Sequence, residues 1–292
     1  MKGSGVIPGM NGIPLFFTPA MVADSQSFSP SALKPLAVVA SWRMLPGVTL
    51  DERKPERATV EELSRAHDEK FVRDVLSLRI DNGFGNRSEA VAASLPWTSG
   101  AMRSAAFHAW KHGGAAVAPC SGFHHAGWSH VSGFCTFNGL MVTATALRAA
   151  GAKRVGILDC DHHEGDGTDD IIGTLRAHDW VEHFTAGAHF SRPRDVSKFF
   201  ARLPGVLASM KGCDVVLYQA GADPHVDDPL GGWLTTEELR ARDELVFETL
   251  KTQGTPVAWN LAGGYQKAAD GSIPKVLEIH DNTLLACARV YG

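Results

Sequence analysis

Apolar positions recur along this chain in two rhythms. Short runs rich in apolar residues stand at 114–119, 154–158, 181–185, 214–219 and 256–261. Such runs predict buried strands. Between them lie longer segments whose apolar residues fall three and four apart, which predicts helices over 31–42, 99–111, 138–150, 235–252 and 273–290. End signals agree. Thr59 is followed three residues later by Glu62, a capping box that predicts a short helix toward Arg65. Gly151 ends the helix over 138–150, and Thr235 and Thr236 are cap candidates for the helix over 235–252. Residues 81–94, rich in Gly, Asn and charge, read as a long exposed loop, and residues 1–14 as a loose Gly-rich arm. Strands that alternate with helices imply an α/β fold: three layers, α-β-α, around a mainly parallel sheet. In such a sheet, ligands bind beyond the carboxyl ends of the strands.

Composition narrows the function classes. With 44% hydrophobic and 21% charged residues, the 292-residue chain is an ordinary globular sequence, read as one catalytic domain over 1–292. A chain this long buries its core without staples. The net charge is −4 and no run of Lys and Arg appears, so no nucleic-acid partner is expected. Five widely spaced cysteines, Cys120, Cys135, Cys160, Cys213 and Cys287, form no Cys-x-x-Cys pair. That argues against a disulfide framework and for a reducing cytoplasm. No stretch of about 18 apolar residues exists, so no membrane span is expected. The oligomeric state stays open.

The chemistry sits where the predicted strands end. Past residue 119 comes Gly122-Phe123-His124-His125-Ala126-Gly127. Adjacent histidines at a strand end are a candidate acid–base pair, because imidazole titrates near neutrality; the plainer reading is two loop histidines. Past residue 158 comes Asp159-Cys160-Asp161-His162-His163-Glu164-Gly165-Asp166-Gly167-Thr168. Asp159, Asp161 and His163 lie two apart, so an extended backbone points them to one side. Asp161 and His163 can then offer an oxygen and a nitrogen to one metal ion. A solvated acidic turn is the plainer alternative. Past residue 219, Asp223 sits at a turn and is a third candidate ligand, with Asp227 and Asp228 nearby. Past residue 261, Tyr265 follows Gly263-Gly264, and a phenol there can donate to a developing oxyanion.

In this order, the four clusters resemble the zinc-dependent histone deacetylase family, which includes acetylpolyamine amidohydrolases and bacterial deacetylase-like proteins. The likeness runs collinearly from Thr98 to Tyr265 and includes Gly133-Phe134-Cys135-Thr136-Phe137-Asn138. Before Thr98 it is poor, and the family's Pro- and Arg-rich loop motif is not found. The resemblance implies the arginase-deacetylase fold and removal of acetyl or another acyl group from an amine, such as acetyl-lysine or an acetylated polyamine. It implies one zinc ion, or iron(II) in its place, on Asp161, His163 and Asp223. It makes His125 the general base, His124 its electrostatic partner, Asp159 and Asp166 their orienting carboxylates, and Tyr265 the oxyanion donor. Gly133 and Phe134 would line the acyl channel, and Asp228, in the loop after the third ligand, would have a supporting role.

Three departures stand out. Glu164 replaces the family's second His, and His162 takes the variable place. The family's potassium site uses main-chain oxygens around Asp159, Asp161 and His163 plus a Ser; Gly187-Ala188-His189 lacks that hydroxyl, so a weakened potassium site is expected. The family's substrate-backbone Asp has no clear match, with Glu89 a loose candidate. Asp81 and Glu89 are candidates for pairing with a cationic substrate, and Trp97, Trp128 and Trp233 for the rim. Two rivals remain: a two-manganese ureohydrolase built on Asp223, Asp227 and Asp228, and a non-catalytic acyl-ligand binder.

Overall fold

The computed structural model describes residues 12–292. Seven strands form one sheet: β1 (Ile13–Phe16), β2 (Leu50–Arg53), β3 (Ala115–Val117), β4 (Val155–Asp159), β5 (Val181–Thr185), β6 (Val215–Gln219) and β7 (Val257–Asn260). Their spatial order is β2-β1-β3-β7-β6-β4-β5, and every neighbouring pair is parallel. Nine helices flank it among the described residues: α1 (Lys34–Trp42), α2 (Val60–Leu63), α3 (Glu69–Leu76), α4 (Glu89–His112), α5 (Gly139–Ala149), α6 (Asp166–Leu175), α7 (Val196–Ser209), α8 (Thr236–Gln253) and α9 (Pro274–Tyr291).

The period-two alternation of the strands builds two cores. On one face Leu158, Val216, Tyr218 and Trp259 pack with Val38, Trp42, Phe199, Phe247 and Ile279, from α1, α7, α8 and α9. On the other, Ile157, Leu217 and Ala258 pack with Phe71, Met102, Leu140 and Ile171, from α3, α4, α5 and α6. Residues of β3, β4, β6 and β7 are buried on both faces, which is why these strands read as apolar runs rather than alternating ones. Their carboxyl ends lie side by side in the middle of the sheet, and all four polar clusters start there.

Several boundaries differ from the sequence reading. Ile13 and Pro14, read as the end of an arm, begin β1; residues 1–11 of that arm lie outside the described residues. β1 and β2 went unread because each spans four residues and β2 is the polar Leu-Asp-Glu-Arg. The loop over 81–94 stops at Ser88, whose side chain accepts from Val91 N and starts α4 ten residues before the predicted 99. Pro96 hid that start, since proline normally interrupts a helix. Here the Pro96 carbonyl accepts from Ala58 N at 2.9 Å, and α4 continues through it. α3, α6 and α7 were also unread. The capping boxes at Thr59–Glu62 and Thr235–Glu238 are both formed. No described helix is long and apolar enough to cross a membrane.

His67 ties the loop after β3 to the start of α5. It is fully buried, its Nδ1 donates to Gly127 O at 2.9 Å, and its Nε2 accepts from Asn138 N at 2.8 Å. Burial pushes its pKa from 6.5 to about 4. The folded state therefore binds fewer protons than the unfolded one between those values. That contribution is complete above pH 6.5 and is lost as pH falls toward 4. Urea unfolding at pH 7, 5.5 and 4.5 is expected to show about 3 kcal/mol of loss from this group, and the loss should shrink in His67→Gln.

Candidate active site

The β4 end carries the core of the site. Asp159 closes the strand, and the bend that follows it, rather than an extended continuation, carries Asp161 and His163. Asp161, His163 and Asp223 each present a ligand atom within 4.8 Å of the others, and they are the only such trio of metal-binding type among the described residues. His163 Nδ1 lies 3.0 Å from Asp223 Oδ2 and 3.3 Å from Asp161 Oδ1. Asp161 and Asp223 are buried, whereas the His163 side chain is 32% exposed, so the trio opens on one side. Two carboxylates and one imidazole with an open side fit an exchangeable divalent cation such as zinc. His162 points elsewhere, its Nδ1 accepting from Gly232 N at 3.3 Å.

Backbone donors hold the two carboxylates. Gly263 N donates to Asp161 Oδ2 at 2.8 Å and His163 N to Asp161 Oδ1 at 2.9 Å. His162 N donates to Asp223 Oδ1 at 3.3 Å. Burial, and then the neighbouring Asp161 charge, raise Asp223 to about 8. Burial resists the charge on His163, but hydrogen bonds to Asp161 and Asp223 lift it to about 11. A cation entering the trio would have to displace protons from it.

The two histidines stand next to it with ring centroids 4.1 Å apart, and the His125 ring is 5.8 Å from that of His163. Each has its own carboxylate. His124 Nδ1 meets Asp159 Oδ2 at 2.8 Å, and His125 Nδ1 meets Asp166 Oδ1 at 2.7 Å. Their settings differ. His124 is buried; burial opposes its charge, but Asp159 and Asp161 outweigh it and raise His124 to about 9. His125 is pushed below 6.5 by burial and then by the His124 charge. The fold thus shifts the two imidazoles in opposite directions. Asp166 opens α6, whose Gly167 lies so close to the His125 main chain that a Cβ would overlap it.

Tyr265 borders the same space. Its N donates to Asp228 Oδ2 at 2.7 Å, and its ring sits 5.7 Å from that of Phe134. Burial and the Asp223 and Asp161 charges hold its phenol well above 10, so it keeps its proton. Asp228 also accepts from Leu230 N at 3.0 Å. Gly133 and Phe134 both take positive φ, +50° and +63°, and a Cβ on Gly133 would overlap the His125 ring. Phe134 packs edge-on to the exposed Phe28 and parallel to Phe84.

Other candidates fall outside. Asp81 pairs with Arg87 at 2.8 Å, and Glu89 is exposed on the first turn of α4. Trp233 is buried among Phe190 and Phe199, a core residue rather than a rim one. Trp97 and Trp128 are partly buried against the second core. Near residues 187–189, Thr185 pairs in register with Asp159, and its Oγ1 accepts from Gly165 N at 2.9 Å. Asp227, with a side chain 77% exposed, stands apart from the trio.

Two residues behind the site escaped sequence reading. Lys34 is buried, and its Nζ donates to Ala262 O at 2.7 Å and Gly263 O at 2.9 Å. Burial lowers its pKa to about 8. Gln219 Nε2 donates to Asp159 Oδ1 at 3.2 Å. Neither has a local motif.

A histone deacetylase domain model matches residues 31–190, more than half of the chain. The chain belongs to the histone deacetylase family. The match starts at residue 31, well before Thr98, so the likeness extends beyond the motif-bearing stretch. An uncharacterised protein of Picosynechococcus is 32% identical over 201 residues, 59% of this chain and 66% of that one. Histone deacetylase 6 of Caenorhabditis elegans is 31% identical over 196 residues, 54% of this chain and 20% of the relative. The chain thus spans less than two thirds of these relatives. An acetylpolyamine aminohydrolase structure from Burkholderia pseudomallei superposes with a TM-score of 0.76 at 18% identity, covering 96% of this chain and 100% of that one. At that identity the likeness shows the fold, the arginase-deacetylase arrangement of a parallel sheet between helices.

Gly263 offers a test of the trio in this deacetylase domain. A Cβ there would overlap the Asp223 carboxylate. Gly263→Ala is expected to weaken zinc binding about 10–100-fold, read by competition with a chelating dye, while circular dichroism stays native.

Proposed function

We propose that this deacetylase domain hydrolyses the amide of an acylated amine, with acetyl-lysine in a peptide as the leading substrate and acetylated polyamines as the alternative. The observation that carries the reading is the placement of two adjacent histidines, each bonded to its own carboxylate, beside the Asp161, His163 and Asp223 trio. Asp161, His163 and Asp223 would hold zinc, or iron(II), which when bound would supply Lewis acidity toward a carbonyl and a water.

The rest is chemistry of the chain. His125 takes a proton from the attacking water at Nε2, and Asp166 keeps Nδ1 as the protonated nitrogen. The water oxygen bonds to the amide carbon. The carbonyl oxygen gathers negative charge, which the Tyr265 phenol meets with a hydrogen bond and the His124 imidazole with its field. His125 then returns its proton to the nitrogen as the carbon–nitrogen bond breaks. A carboxylic acid and an amine leave, and the acid passes its proton to the amine to give a carboxylate and an ammonium ion. Gly133 and Phe134 wall the acyl channel, and Asp228 anchors the Tyr265 backbone.

A potassium ion on the main-chain oxygens around Asp159, Asp161 and His163, beside the Thr185 hydroxyl, belongs to the same proposal. Five buried free cysteines support a reducing cytoplasm as its setting. A ureohydrolase with two metal ions has less support, because Asp227 and Asp228 do not join the trio.

Zinc added stepwise to the metal-free chain, with a fluorogenic acetyl-lysine peptide and a panel of acetylated amines, tests the reading. Activity is expected to appear at one ion per chain, and Tyr265→Phe to cost about 10²–10³ in kcat. Turnover unchanged in Tyr265→Phe sinks the proposed mechanism; tight binding without turnover in the parent chain favours the silent binder. The pH profile adds a second check. The acid limb of kcat/KM should lie below pH 6.5, and Asp166→Asn should move it lower still, because the Asp166 carboxylate raises the His125 pKa.

A further inference from the structure

Arg242 of α8 is fully buried. Its Nε donates to Asp243 Oδ1 at 2.9 Å, and its Nη1 donates to two main-chain carbonyls, Cys160 O at 3.1 Å and Gly221 O at 2.8 Å. Nη2 finds no partner among the described residues. Asp243 also accepts from the Tyr218 hydroxyl of β6 and from Thr283 Oγ1 of α9, the latter at 2.6 Å.

A buried Arg–Asp pair is a poor source of stability, since desolvation consumes most of its attraction and apolar side chains of similar volume serve a core as well. The two carbonyls show what else this pair does. Cys160 lies between Asp159 and Asp161, and Gly221 lies two residues before Asp223. The β4–β6 register ends at Asp159 opposite Gln219, followed by one bond from Cys160 N to Gln219 O. Past that point no ladder keeps the two backbones together, and their carbonyls need other donors. A planar guanidinium whose rotation is locked by Asp243 supplies two donors in a rigid fork.

We propose that Arg242 is a positioning residue: by bridging the Cys160 and Gly221 carbonyls, it sets the separation of the Asp161 and Asp223 carboxylates. This rests on the reading of those carboxylates as metal ligands.

Calorimetric titration of zinc into the metal-free chain, with thermal unfolding of the same samples, tests it. The parent chain should bind one ion and Asp161→Ala none. Arg242→Met and Arg242→Lys should each weaken zinc about 10–100-fold at unchanged stoichiometry. Arg242→Lys keeps the charge without the fork and decides the matter if Arg242→Met does not fold. Thr283→Val removes one donor from Asp243 and neither carbonyl contact. It should lower the unfolding midpoint and leave the zinc dissociation constant unchanged, which separates positioning from mere stability. A folded Arg242 variant that binds zinc as tightly as the parent overturns this proposal alone. A parent chain that binds no zinc, or an Asp161→Ala chain that binds it equally well, overturns the metal reading and this inference with it.

Discussion

The site depends on keeping two buried carboxylates, Asp161 and Asp223, within reach of one another at the ends of adjacent strands. Like charges in a space of low dielectric repel, and burial favours protonation of both. The surrounding structure answers this repulsion. Main-chain N–H groups of Gly263, His163 and His162 point at the carboxylate oxygens, and the His124 and His163 imidazoles lie beside them. Buried Lys34 and Arg242 grip the backbone behind. A divalent cation completes that balance in the proposed function.

The parallel sheet makes the crowding affordable in backbone terms. Parallel strands end in register on one side, so β3, β4, β6 and β7 deliver their polar loops to the same place. Rigid, doubly buried strands then carry the loops, and helices on both faces keep the strands dry. The loops approach closely because glycines stand where a Cβ would overlap: Gly133 against His125, Gly167 against the His-pair backbone, Gly263 against Asp223.

The two histidines illustrate how environment divides identical chemistry. Adjacent in sequence and each paired to a carboxylate, they differ in burial and in distance from Asp161. The pKa of one is pushed up and that of the other down. No local pattern distinguishes them, because the difference comes from what the fold places around each ring.

The sequence by itself determined the α/β class, the central strands and the residues with chemistry to offer. Buried parallel strands must be apolar throughout, and polar clusters at their ends stand out against them. Thr235 and Thr59 announced their helices because capping is a contact over three residues. What sequence left open was whatever depends on residues distant along the chain. α4 runs through Pro96, a lysine near the start grips the backbone before Tyr265, and an arginine in α8 clamps the ends of β4 and β6. Such contacts exist only after the sheet has ordered its strands, since hydrogen bonds across 82 or 228 residues leave no periodicity to read.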